Sequence, residues 1–290
     1  MSAKQYDEAT GTATTGHVWD GIQELDTPMP RWWVWVFLAS IIFSIGYVAV
    51  YPAIPLVNRA TEGAFGWHSR TAVEQDIQSA YGKQAAFREQ IANASFDQII
   101  NDQQLYQFAV SAGRSAFQVN CIQCHGSGAA GGPGFPNLQD DEWIWGGTID
   151  DIAYTITHGI RNGTDDEARD SLMPNFGTDG LLEKQQIDDV SAYVLSLSGG
   201  TAEKGDVTAG ATVFADNCAA CHGENAEGMV EVGAPPLKNA IWLYGGAQDD
   251  LIAQITKPKH GVMPAWGPRL GDETVKTLAV YVYNLGGAVR

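Results

Sequence analysis

The motif Cys-x-x-Cys-His occurs twice, as Cys121-Ile122-Gln123-Cys124-His125 and as Cys218-Ala219-Ala220-Cys221-His222, and the two copies use every cysteine in the chain. This spacing is the attachment signature of c-type haem. Each thiol can add to one haem vinyl group, and the adjacent histidine is then placed to ligate the iron from one face. A zinc site would need further Cys or His ligands close by, and neither segment has a second pair. A thioredoxin-like redox pair would not require a histidine next in line, twice over. Two covalently bound c-type haems are therefore expected. No cysteine remains for a disulfide, so covalent cross-linking falls to the haems.

The 290 residues leave room for two domains of ordinary size and additional segments. A net charge of -17, from 34 acidic and 17 basic side chains, argues against nucleic acid as a partner. An acidic surface suits a basic soluble redox protein, because complementary fields raise encounter rates. The same charge also serves plain solubility, and composition does not separate the two roles.

From Trp32 to Tyr51 the chain reads WWVWVFLASIIFSIGYVAVY, without a formal charge. At helical rise this length spans the hydrocarbon core of a bilayer. Arg31 stands at one end, and Trp32, Trp33, Trp35, Tyr47 and Tyr51 suit the two interfaces. A cleaved secretory signal would start near the N-terminus and end in small residues, whereas a polar stretch precedes this segment and Pro52 and Pro55 follow it. One uncleaved transmembrane helix over residues 32–51 is expected. Lys4 and Arg31 before it nearly balance Arg59 and Arg70 after it, so charge does not orient it. Covalent haem attachment takes place outside the bacterial cytoplasm. The expected arrangement is therefore a cytoplasmic segment 1–31 and a periplasmic C-terminal portion, anchored in the inner membrane.

The two haem segments repeat each other. Ala112-Gly113 matches Ala209-Gly210, Phe117 matches Phe214, and Asn120 matches Asn217 at the offset of the cysteines. Pro136-Asn137-Leu138 matches Pro235-Pro236-Leu237, and Trp143-Ile144-Trp145-Gly146-Gly147 matches Trp242-Leu243-Tyr244-Gly245-Gly246. Met173-Pro174 answers Met263-Pro264, and each copy ends in an amphipathic pattern: Ile187, Val190, Val194, Leu197, and Val275, Leu278, Val282, Leu285. A glycine follows each as a stop signal. The fold class is mainly α: one N-terminal transmembrane helix and two tandem haem domains over residues 105–200 and 201–290. Residues 52–104, polar and alanine-rich with a stripe at Val73, Ile77, Ala80, Tyr81 and Ala85, read as a helical arm on a neighbouring protein, or else as a solvated spacer.

Over residues 105–198 and 206–287 this layout resembles the cytochrome c fold. The resemblance implies an opening helix that crosses the closing helix of the same domain, with Gly113 and Phe117 meeting Tyr193 and Gly210 and Phe214 meeting Tyr281. It implies iron ligation by His125 and His222, with Pro136 and Pro235 supplying the carbonyl that orients each ring. Of five methionines, Met1, Met29, Met173, Met229 and Met263, the corresponding pair Met173 and Met263 fits the axial-methionine loop, and Met229 is a competitor. His/Met ligation raises the reduction potential and suits electron transfer. Ligation within each domain and ligation crossed between domains both remain open. His158 and His260 precede the methionine loops and are expected as polar contacts near the haem edge, with ligation as the alternative; His17 and His68 have no haem context.

The stretch His17-Val18-Trp19-Asp20-Gly21-Ile22-Gln23-Glu24-Leu25-Asp26, then Pro28-Met29-Pro30-Arg31-Trp32-Trp33, narrows the family. With Tyr51-Pro52-Ala53-Ile54-Pro55 and Gly66-Trp67-His68-Ser69-Arg70, it closely resembles the dihaem subunit III of cbb3-type cytochrome c oxidases. That resemblance implies a periplasmic cytochrome c as electron donor. It implies as partners a monohaem cytochrome c subunit and a b-haem and copper subunit that reduces oxygen and pumps protons. It also implies no catalytic acid, base or nucleophile in the chain itself. Two rivals stand beside it: a membrane cytochrome c serving another complex or a periplasmic dehydrogenase, and a dihaem peroxidase, which needs a haem able to open a coordination site.

Overall fold

A computed structural model describes residues 5–288; Met1–Lys4, including the lysine counted in the charge balance, and the last two residues lie outside the described part. The chain divides into two compact units, residues 1–83 and 84–290.

The first unit opens with a hairpin, β1 (Thr14–Trp19) and β2 (Ile22–Leu25), paired antiparallel with Trp19 opposite Ile22. The two residues between them, Asp20 and Gly21, have φ of 48° and 84°. That left-handed pair is the turn whose twist matches a two-stranded ribbon, and Asp-Gly is a preferred sequence for it. Helix α1 (Arg31–Val50) is long and apolar enough to cross a membrane, with a mean hydropathy of 2.1 and no buried residue. Pro52 ends it, because the residue before a proline is driven out of the helical region, and Tyr51 is extended at ψ 157°. The chain then folds back: Ala64 N–H donates to the Ala49 carbonyl at 2.9 Å, and the edge of Trp67 meets Tyr51 at 5.6 Å. Helix α2 (Ser69–Asn93) begins in this unit, where Val73, Ile77 and Tyr81 are exposed.

In the second unit the C-terminal part of α2 is followed by α3 (Phe96–Asn101) and then by two copies of one helical series. The first is α4 (Gln103–Asn120), α5 (Ile122–His125), α6 (Ile149–His158) and α7 (Lys184–Leu197). The second is α8 (Val207–Asn217), α9 (Ala219–His222), α10 (Gln248–Thr256), the short α11 (Gly267–Leu270) and α12 (Asp272–Asn284). Both opening helices start on an aspartate that caps two free amides: Asp102 accepts from Gln104 and Leu105 N–H, and Asp206 accepts from Thr208 and Ala209 N–H.

The closing helices are exchanged, which corrects the pairing implied by the cytochrome c layout. Opening helix α4 packs along α12, and α8 packs along α7. Phe117 lies against Tyr281 at 5.4 Å and Phe214 against Tyr193 at 5.3 Å. A Cβ on Gly113 would stand 2.7 Å from the Cβ of Tyr281, and one on Gly210 would stand 2.9 Å from that of Tyr193. Only glycine permits backbones to approach so closely. The Trp143 indole N–H also reaches across, donating to the Gly287 carbonyl at 2.8 Å, and Tyr106 bonds to Asn284. The glycine and aromatic contact is thus made as expected, with the opposite partner. Phe117 and Phe214 are each 1% exposed, and burying a phenylalanine contributes roughly 1.5–3 kcal/mol.

The arm is partly resolved by the same packing. Ile91, Ile99, Leu105, Ala109 and Val280 form one buried cluster, with Phe87 stacked on Phe108 at 5.2 Å. Arg88 pairs with Glu273 at 2.6 Å, and Lys276 donates to the Ala92 and Ala94 carbonyls at 2.8 Å, closing the end of α2. The C-terminal stretch of the arm therefore packs on its own chain.

Candidate haem centres

Each attachment motif occupies one helical turn directly after an opening helix. Cys124 and His125 N–H both donate to the Cys121 carbonyl, at 3.2 and 3.0 Å; Cys221 and His222 N–H do so to Cys218, at 3.1 and 2.9 Å. Positions three and four apart share a face, so both thiols and the imidazole fall on one side of the turn. Gly126 and Gly223, at φ 77° and 81°, end the two turns in the left-handed region.

The histidine rings are oriented identically. His125 Nδ1 lies 3.1 Å from the Pro136 carbonyl, and His222 Nδ1 lies 2.9 Å from that of Pro235. A carbonyl can only accept, so Nδ1 carries the proton and donates, and the lone pair is left on Nε2. Burial pushes both histidine pKa values down, with the carbonyl contact opposing it, which favours the neutral ring that a metal requires. Burial also pushes the Cys121 and Cys218 thiols up to about 11, with the second cysteine of each pair adding to the effect; Cys124 and Cys221 are exposed. The donor set fits c-type haem: paired thiols, one imidazole with an oriented free nitrogen, and an apolar core behind them.

The two methionine loops sit with the opposite repeats. Met263 packs on the core that contains Phe117, Ile152 and Ile156, together with Cys121 and Ile122. Its backbone N–H and carbonyl both pair with Ile160 at 2.9 Å, and Trp266 N–H donates to the Ile156 carbonyl at 3.0 Å. Met173 packs with Phe176, Leu182 and Ile187 against Val213, Ile252 and Ile255. Val213 and Ile255 also pack on the core beside Cys218 and Ala219. Gly177 and Thr178 N–H donate to the Thr256 carbonyl at 3.2 and 3.1 Å, the counterpart of the contact made by Trp266. Met229 is tied instead into a small bridge with Ala234, N–H to carbonyl at 2.9 and 3.0 Å, and it packs on neither core.

Sequence reasoning did not distinguish the two histidines ahead of these loops, and their surroundings differ. His158 has both ring nitrogens facing carboxylates, Nδ1 at 3.1 Å from Asp165 and Nε2 at 3.3 Å from Glu167. His260 Nε2 accepts from Met173 N–H at 3.1 Å, so this histidine braces a methionine loop. Arg161 and Arg169 were missed altogether. Arg169 stacks over Trp145 and Tyr154, at 5.6 and 4.9 Å, and pairs with Asp151 at 3.2 Å. Their signal was present as two basic residues in an otherwise acidic stretch just before Met173.

Comparison with known proteins agrees along the chain. Residues 11–58 match the family model for the N-terminal domain of cytochrome oxidase-cbb3, FixP; residues 110–198 match cytochrome c; and residues 205–282 match cytochrome c oxidase, cbb3-type, subunit III. The cbb3-type cytochrome c oxidase subunit FixP of Sinorhizobium medicae (strain WSM419) is 55% identical over 284 residues, covering 98% of each chain. Subunit CcoP of Cereibacter sphaeroides is 51% identical over 288 residues, and that of Azospirillum sp. (strain B510) is 47% identical over 294, each covering 99% of both chains. With a hairpin and apolar helix in the first matched region and c-type haem turns in the other two, this chain belongs to the FixP/CcoP family, subunit III of the cbb3-type cytochrome c oxidases.

Proposed function

We propose that this chain is the dihaem electron-carrying subunit of its oxidase, accepting electrons from a periplasmic cytochrome c and delivering them to a monohaem cytochrome c subunit. That subunit in turn serves the b-haem and copper subunit, which reduces oxygen and pumps protons. The observation that carries the reading is the duplicated donor set, two attachment turns whose imidazoles are oriented by proline carbonyls and whose cores each include a methionine-proline loop.

When bound, c-type haem supplies reversible one-electron chemistry, and the protein supplies binding, orientation and electrostatics. Cys121 and Cys124 would hold the first haem and Cys218 and Cys221 the second, with His125 and His222 as the proximal ligands. The sixth ligands are assigned crosswise, Met263 to the first haem and Met173 to the second. Core membership supports this: Met263 shares apolar neighbours with Cys121, and Met173 shares Val213 and Ile255 with Cys218. A thioether in the sixth position favours a raised potential and fills the shell, so no residue is assigned a catalytic role.

Helix α1 anchors the chain in the inner membrane, with residues 1–31 in the cytoplasm and the haem repeats, residues 105–200 and 201–290, in the periplasm. The route of haem attachment supports that orientation. The chain's net charge of -17 supports a basic donor.

Extraction of the chain from its own membranes in mild detergent, with co-purifying polypeptides identified by mass spectrometry, tests the partners. A monohaem cytochrome c and a many-span b-haem and copper subunit are expected. Recovery with a dehydrogenase instead would move the chain to another complex. For the ligands, Met173→Ala should remove the methionine–iron absorption of the second haem alone, and Met263→Ala that of the first. The reverse pattern would restore ligation within each repeat.

A further inference from the structure

His260 precedes Met263 by three positions, whereas His158 precedes Met173 by fifteen. The extra stretch begins with Arg161, whose half-buried guanidinium touches both methionine loops. Its Nε donates to the Gly261 carbonyl at 2.9 Å, two residues before Met263. Its Nη1 donates to the Ser171 carbonyl at 3.1 Å, two residues before Met173.

The backbone of Arg161 is fixed as well. Its N–H donates to the Arg169 carbonyl at 2.9 Å, and the preceding Ile160 pairs in both directions with Met263. Its φ of 48° is left-handed, a conformation that a long L side chain adopts only when its surroundings impose it. No carboxylate among the described residues lies within ion-pair distance of the guanidinium, though Asp170 and Tyr244 are near enough to act on it electrostatically, and the Trp145 ring lies at 6.0 Å. A single ammonium would not reproduce this, because only the planar fork presents two donors in fixed relative directions.

We propose that Arg161 is a positioning residue shared by the two centres, holding both methionine loops in one register so that the sixth ligand at each haem depends on the same side chain. The proposal rests on the methionine ligation put forward above. Its positive charge also stands between the loops, where it favours the reduced state at both centres.

The test uses the full-length holoprotein in detergent, with covalent haem content measured first. Methionine–iron absorption and reduction potential are then followed separately for each haem in the parent, Arg161→Gln, Arg161→Lys and Met173→Ala. Arg161→Gln is expected to weaken the absorption at both haems and to lower both potentials. Arg161→Lys keeps the charge without the fork, so both absorptions should still weaken while the potentials fall less. Met173→Ala provides the pattern of a one-centre change. A response confined to one haem in the Arg161 variants, or no response in Arg161→Lys, overturns the shared role. Absence of the methionine signal from the parent itself would instead overturn the ligation assignment, so the two failures are distinguishable.

Discussion

The two haem repeats are alike in the parts placed to hold a haem and unlike in one of the contacts by which they reach each other. Both have the attachment turn, the proline carbonyl on the histidine, the glycine and aromatic helix contact and the methionine-proline step. They differ in the approach to the methionine. The second repeat goes from His260 to Met263 almost directly, while the first inserts a stretch held by Asn162, which accepts from Thr164 and Asp165 N–H at 2.9 and 3.0 Å. That stretch contributes the arginine that touches both loops. The difference teaches that the two copies share the parts placed to hold a haem and the exchanged helices, and that the first alone contributes a side chain touching both methionine loops.

The largest test of this comparison removes a pocket. Cys218→Ala with Cys221→Ala should leave a chain with one covalent haem in place of two, read from haem content per polypeptide. If the exchanged helices bind the pockets into one structure, the remaining haem should also lose thermal stability. An unchanged melting profile for that haem would show that the repeats stand independently.

Next in size is the helix crossing. Gly113→Val and Gly210→Val drive a branched side chain into the Tyr281 and Tyr193 contacts, and each should destabilise the second unit by about 1–3 kcal/mol in chemical denaturation. The direct test of exchange is a double-mutant cycle. Phe117 with Tyr281 should couple by about 0.5–1.5 kcal/mol, whereas Phe117 with Tyr193 should be additive. Coupling in the second pair would reverse the helix assignment.

An effect of similar size is expected at the linker between repeats, which the second repeat holds through one buried side chain. Gln248 accepts from Glu203 N–H at 2.8 Å and donates to Ser191 Oγ and the Lys204 carbonyl at 3.1 and 2.7 Å. Gln248→Leu leaves these groups without partners and should cost about 1–3 kcal/mol by thermal melting. The smallest is Arg88→Ala, which breaks the partly exposed pair with Glu273 and should cost about 1 kcal/mol or less, with added salt reducing even that. A larger loss would mean that the arm, rather than the haem repeats, stabilises α12.

Much of this was legible in the chain. Cys-x-x-Cys-His fixes its own chemistry locally, and the proline and methionine positions follow from aligning the repeat with itself. The apolar run is equally plain, and helix α1 falls one residue from the expected span. The exchange of closing helices was not legible, for a physical reason. Tyr193 and Tyr281 stand at equivalent positions on equivalent amphipathic helices, so either can meet Gly113 and Phe117. Partner choice is set by the loops between helices, whose path a hydrophobic pattern does not encode. The hairpin was missed although Asp20-Gly21 is a strong turn signal: the irregularity between Thr14 and Val18 breaks the alternation that marks a strand. The packing of the arm's end on its own chain was not foreseen because the residues that make it, Phe87 and Ile91, lie beyond the stripe that drew attention.

The exchanged helices also bear on how the protein is made. Synthesis runs from the N-terminus, so Cys121 and Cys124 are produced long before Asp272–Asn284, the helix that packs along the opening helix leading into their turn. Contacts between such distant segments form late, because loop closure precedes any gain from them. The apolar core beside the first attachment turn is therefore completed only after the last helix has been made.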